Sequence, residues 1–185
     1  MRITNYCQYV AFLRGINVGG RTLVKMECLR KELEALGYRG VKTVLASGNV
    51  VFEAPGDSTP SALSQEISRK LKGGLGREVL VIVRPVEELR ELAAKVPFGS
   101  VEAAEGTRMF VTFLAGAGSK SQAGIPERER RGFRILSVSN GMICSVLEER
   151  QGVGGAELMG AIEKWYGRDV TTRSWSTIEK ILKIV

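Results

Sequence analysis

Residues 41–53, VKTVLASGNVVFE, decide the fold of this chain. Two short runs rich in β-branched residues, Val41–Ala46 and Val50–Glu53, flank Ser47-Gly48-Asn49, a hairpin signal. A hairpin at this point sends the strand back on its neighbour instead of into another βα unit. Upstream, Tyr9–Leu13 reads as a buried strand. Between Lys25 and Leu36, apolar residues recur at Met26, Leu29, Leu33 and Leu36 and stop at Gly37, which is helical spacing. Downstream, Pro55-Gly56-Asp57 is a turn, Thr59 offers an N-cap and Pro60 the first helical position. Leu63, Ile67 and Leu71 then share one helix face, and Gly73-Gly74 are expected to end that helix. Glu78–Arg84, EVLVIVR, is apolar on both faces and predicts a central strand. Pro85 is expected to open a further helix with Val86, Leu89, Ala93 and Val96 inward.

The order β-α-β-β-α-β is that of a ferredoxin-like, split βαβ unit, here over residues 1–97 with an extra helix. The second half, residues 98–185, reads as a degenerate α/β unit. Arg108–Leu114 is a strand. Residues 115–131, AGAGSKSQAGIPERERR, have no period and predict a flexible loop. Phe133–Ser137 and Met142–Leu147 form a hairpin about Asn140-Gly141. Leu158, Ile162 and Trp165 mark a helix. In the closing stretch, Thr171 or Thr172 is expected to cap a last helix whose inner face carries Trp175, Ile178, Leu182 and Val185. No close internal repeat is visible.

Composition narrows the chemistry. The chain has 185 residues, 44% hydrophobic and 25% charged, and no histidine. That excludes Ser-His-Asp and Cys-His arrangements and imidazole metal ligands. Asp57 and Asp169 are the only aspartates, so a two-metal phosphoryl site is not expected, and neither is any other metal or cofactor. Cys7, Cys28 and Cys144 lie far apart, with no CxxC, which fits a reducing cytoplasm. The apolar run at Tyr9–Leu13 is too short for a signal-peptide core or a membrane span. A net charge of +7 suits phosphorylated ligands, nucleic acid or acidic surfaces, but no block of five like charges concentrates it.

The first strand runs into a loop of three glycines, two arginines and an asparagine, RGINVGGRT. In the ferredoxin-like order the ends of the first and second strands share one rim of the sheet. The Arg14–Arg21 loop is therefore expected beside the Ser47–Asn49 hairpin. Arg14 and Arg21 could neutralise an anion, Asn17 and Asn49 orient it, Ser47 contact it, and the backbone at Gly15, Gly19 and Gly20 donate to it. The competing reading is that the glycines only supply positive φ and Asn17 only closes a turn. GINVGGRT also approaches the P-loop pattern, but Arg21 stands where lysine is required and the next strand enters a hairpin. RNA recognition on the sheet would need exposed aromatics, and Tyr9 and Phe12 point to opposite faces. Thr172 and Arg173 form a second candidate anion contact at the expected start of the last helix.

YVAFLRGINVGGR followed by VKM, then SGNVVFE, the VIVR strand and TTRSWST together resemble domain-of-unknown-function family 1697 across nearly the whole chain. The resemblance implies a bacterial cytosolic α+β protein of two ferredoxin-like (split βαβ) halves, with antiparallel sheets and helices packed on one face. It brings no established activity and no catalytic residues. Thr22, Ser174 and Ser176 depart from the family's usual asparagines, and GVGGAEL replaces its serine-lysine-leucine step. The leading expectation is a binding protein for a phosphate-bearing or other anionic small molecule. The alternatives are a transferase or hydrolase using the same pocket, with Lys25 or a glutamate as base, and a nucleic-acid or protein interaction module.

Overall fold

The computed structural model describes residues 5–17, 23–102, 104–116, 129–130, 132–149 and 154–185. Most of the loop expected at 115–131 lies outside them, as do Gly19, Gly20 and Arg21. The fold is α+β, in two ferredoxin-like halves. Contacts divide the chain into one unit of the described residues up to Glu91 with Glu179–Val185, and another of Leu92–Ile178.

In the first unit the order is β1 (Tyr6–Leu13), α1 (Met26–Glu34), β2 (Arg39–Val44), β3 (Asn49–Pro55), α2 (Pro60–Leu75) and β4 (Val81–Pro85), leading into α3 (Val86–Ala94). The four strands form an antiparallel sheet in the order β2-β3-β1-β4. Leu29 and Leu33 of α1 and Leu63, Ile67 and Leu71 of α2 cover one face, against Tyr9, Ala11, Leu13, Val50, Phe52, Val81 and Val83. Val10, Phe12, Val51 and Ile82, which alternate with these, are buried as well. That two-sided burial explains why β4 reads as a central strand although it lies at the sheet edge. Thr59 caps α2 as expected, its Oγ1 accepting from the Ala62 N–H at 3.2 Å. The helix nevertheless runs through Gly73-Gly74 to Leu75 and is closed by Gly76. Pro85 belongs to β4, and Val96 is 65% exposed beyond the end of α3, not inward as expected.

The second unit runs β5 (Thr107–Leu114), β6 (Glu129–Arg130), β7 (Phe133–Ser139), β8 (Met142–Glu148), α4 (Gly155–Tyr166) and β9 (Val170–Ser174), then enters α5 (Trp175–Leu182). Its antiparallel sheet has the order β6-β7-β8-β5-β9. Leu158, Ala161 and Ile162 of α4 pack on Leu114, Phe133, Ile135, Ile143, Leu147 and Val170. Val170–Ser174 is therefore a strand paired with β5, and Thr171 and Thr172 do not cap a helix. β-branched Val-Thr-Thr suits an extended chain better than a helix start.

The two units repeat each other in register, in keeping with the expected pair of ferredoxin-like halves, although no close repeat is visible in the sequence. β1 meets β4 with Val10 opposite Arg84 and Leu13 opposite Val81. β5 meets β9 with Val111 opposite Arg173 and Leu114 opposite Val170. The strand exits match too. Leu13 N–H donates to Gly48 O at 2.8 Å and Arg14 N–H to Leu80 O at 2.9 Å, while Leu114 N–H donates to Gly141 O at 2.9 Å and Ala115 N–H to Asp169 O at 2.9 Å. The repeat is carried by VAFL and VIVR in one unit and VTFL and VTTR in the other.

Candidate functional site

The rim of the first sheet is built where β1 ends. Sheet order seats Leu13 between the start of β3 and the start of β4, and the two backbone bonds just described hold the exit on both sides. Gly15 follows with φ +64, and a Cβ there would meet nothing within 4 Å, so glycine serves conformation and not space. Ile16, 1% exposed, then turns inward. It packs so closely on the β2–β3 hairpin that a Cβ at Gly48 would lie 2.5 Å from its Cγ2. The two chain reversals thus sit side by side, as the strand order requires.

Asn17 locks them. Its Nδ2 donates to Ala46 O at 2.8 Å and to Val24 O at 3.1 Å, and its Oδ1 accepts from the Val24 N–H at 2.7 Å. The side chain imitates a backbone pairing and closes the neck of the segment between residues 17 and 24. Asn49 is fully buried, and its Nδ2 donates to Val44 O at 2.8 Å and to Ser47 Oγ at 3.0 Å. Both asparagines hold the turns together. The sequence expected them to orient a ligand, which their geometry does not favour.

Two arginines, Arg14 and Arg77, stand at the rim among the described residues. Arg14 is half-buried at the strand exit. Arg77, which the sequence reading passed over, donates from Nη2 to Ile16 O at 2.7 Å. It precedes β4 by a few residues, and only the crossover through α2 brings it beside a loop 61 residues earlier. Lys72 and Glu78 pair in the same segment at 2.6 Å, with their side chains largely in solvent. Nearby, Lys25 precedes α1 at its N-cap position, and no side chain caps the helix N-terminus. Ser47 is exposed on the hairpin, as is Gly15 on the exit turn. Gly19, Gly20 and Arg21 fall outside the described residues.

Thr172 and Arg173 belong to the second unit. Thr172 Oγ1 lies 2.7 Å from Thr112 Oγ1 across the β5–β9 pair. Arg173 is 9% exposed and donates to Thr171 Oγ1 and Thr172 O, both at 2.8 Å. Burial pushes its guanidinium down to about 10, which still leaves it cationic at neutral pH. The same unit holds a cleft of about 470 Å³ at the start of β5, lined by Glu102, Glu105, Thr107, Arg134 and Glu148 among others. Arg134 Nε is 3.7 Å from Glu148 Oε1 there, and the surplus of carboxylates suits a cation better than an anion. Among the described residues no group of three His, Cys, Asp or Glu could hold a metal, and no helix is long and apolar enough to cross a membrane.

Residues 7–136 match the family described as Protein of unknown function (DUF1697), and the chain belongs to it. No curated protein matches the chain. A solved structure described as that of a conserved bacterial protein from Streptococcus pneumoniae is 22% identical, with 97% of this chain and 99% of the other covered and a TM-score of 0.70. At that identity the likeness is one of fold.

Proposed function

We propose that this member of the family binds a small phosphate-bearing or otherwise anionic molecule at the rim where β1 ends. The observation that carries the reading is that two arginines are anchored at this one strand exit, Arg14 by its backbone N–H to Leu80 O and Arg77 by its guanidinium to Ile16 O. A guanidinium has five N–H donors in a planar fork, and Arg77 commits one of them to Ile16 among the described residues. Such forks match phosphate oxygens, and each charge-assisted bond contributes more than a neutral one. The uncapped start of α1 adds a positive dipole end to the same rim. Arg21 and the backbone at Gly19 and Gly20 would complete the grip from the loop, with Gly15 and Ser47 at its base. Asn17 and Asn49 shape the site without touching the ligand.

Isothermal titration with inorganic phosphate and nucleoside phosphates tests this. Arg14→Ala and Arg77→Ala are each expected to weaken binding about tenfold or more, the worth of one lost charge-assisted bond. Absence of saturable heat with every anion tried, or identical heats from both variants and the parent, would remove the proposal.

A further inference from the structure

The rim carries an apolar feature next to its charges. Among the described residues four large apolar side chains are exposed: Leu23 at 70%, Leu45 at 46%, Val96 and Ile184. The first two adjoin the Asn17 clamp. Asn17 Nδ2 bonds both Val24 O and Ala46 O, so the segments bearing Leu23 and Leu45 run next to each other. Leu45 is also held at φ 61, a left-handed conformation that glycine or asparagine adopts far more easily. An exposed leucine kept in a strained turn contributes little to folding, so a contact outside the fold is the natural account of it.

We infer that the ligand of this rim is a phosphate ester with an apolar, base-like body, of the nucleoside phosphate class, its phosphate on Arg14 and Arg77 and its body on Leu45 and Leu23. The inference rests on the anion-binding reading above. Two leucines make room for one ring. They are too small a surface for an acyl chain, and far below the roughly 800 Å² per partner of a stable protein interface.

The experiment is titration of the full chain with inorganic phosphate, ribose 5-phosphate and adenosine 5′-monophosphate, repeated with Leu45→Gly and Leu23→Ser. The nucleotide is expected to bind about tenfold tighter than the sugar phosphate, the worth of one good apolar contact. Both variants are expected to erase that preference while leaving inorganic phosphate unchanged. Leu45→Gly is expected to unfold in urea no earlier than the parent, and the exposed Leu23→Ser gives a second test independent of backbone strain. If phosphate binds but the base adds nothing, or both variants keep the preference, the inference falls and the anion reading stands. If no phosphate binds at all, both fall. Co-sedimentation with vesicles of phosphatidylcholine and phosphatidylglycerol, without binding of the nucleotide, would assign the leucines to lipid and overturn the inference.

Discussion

Asn17 shows how a residue that looks like a ligand group can be an element of the frame. Its three hydrogen bonds engage both Nδ2 protons and Oδ1 on Val24 and Ala46. Asn17→Ala leaves the Val24 N–H and two carbonyls to find water at a half-buried neck. It is expected to lower stability by about 2 kcal/mol, as loss of paired and partly buried polar contacts does. Phosphate binding should weaken only in parallel with loosening of the loop. Urea unfolding of the variant checks this, and a change below about 0.5 kcal/mol would show that the clamp is not structural. The sequence placed Asn17 and Asn49 at the right rim, because strand order fixes where a loop emerges. It could not show which way they point, because an asparagine closing a turn and one facing solvent have the same neighbours in sequence. Arg77 was hidden for the opposite reason. It stands in GGLGR, a stretch that reads only as the link from a helix end to the strand at Glu78–Arg84, and its partner Ile16 is distant along the chain.

At the scale of elements, local signals succeeded where they were punctuated and failed where packing overruled them. Ser47-Gly48-Asn49 joins β2 and β3 as expected because Gly48 meets two demands at once, φ +78 and close contact with Ile16. Thr59-Pro60 starts α2 for the capping reasons anticipated. Gly73-Gly74 did not stop that helix, since burial of Leu63, Ile67 and Leu71 outweighs the cost of two exposed glycines and Gly76 provides the left-handed cap. The glycines therefore remain a local weakness inside α2. A Cβ at Gly73 would meet nothing within 4 Å. Gly73→Ala is expected to raise stability by about 0.5–1 kcal/mol by restricting the unfolded chain and favouring the helix. An unchanged or lower urea midpoint would mean that the end of α2 frays at that point. TTRS failed in the other direction, as threonines next to a helix resemble a cap while their pairing with β5 makes them a strand.

For the molecule as a whole, the repeated register of the two units explains why two like halves were legible while no close repeat of sequence was. Each half obeys the same strand order, but the identities that carry the repeat are few, and the position of α1 corresponds in the second unit to a segment without helical period. What the two units do not repeat is their polar chemistry. The first unit stacks Tyr38 on Phe52 at 4.6 Å and Phe52 on Tyr9 at 5.9 Å, with Tyr38 donating to Glu66 and Tyr9 to Ser58 O.

That stack gives the first unit a response to alkaline pH. Burial raises the Tyr38 hydroxyl above its ordinary value of 10.0, with the Glu66 hydrogen bond and charge adding to the effect. Burial raises Tyr9 as well, with smaller contributions from Cys7 and Asp57. In the unfolded chain each tyrosine loses its proton near pH 10, whereas the folded chain retains it. Folding above that pH therefore requires proton uptake. The contribution of the neutral hydroxyls is fully present below pH 10 and is lost as pH rises beyond it, by at most about 1.4 kcal/mol per pH unit for each group. Tyr38→Phe keeps the ring on Phe52 and removes the hydroxyl. At pH 8 it is expected to cost about 1 kcal/mol, the net worth of one hydrogen bond. Near pH 11 the parent's advantage should shrink and then reverse, since phenylalanine has no proton to retain. Urea unfolding of both proteins at the two pH values decides the matter. Parallel stability curves across pH 10 would show that the Tyr38 hydroxyl ionises in the folded protein as readily as in the unfolded chain, and that the stack is open to water.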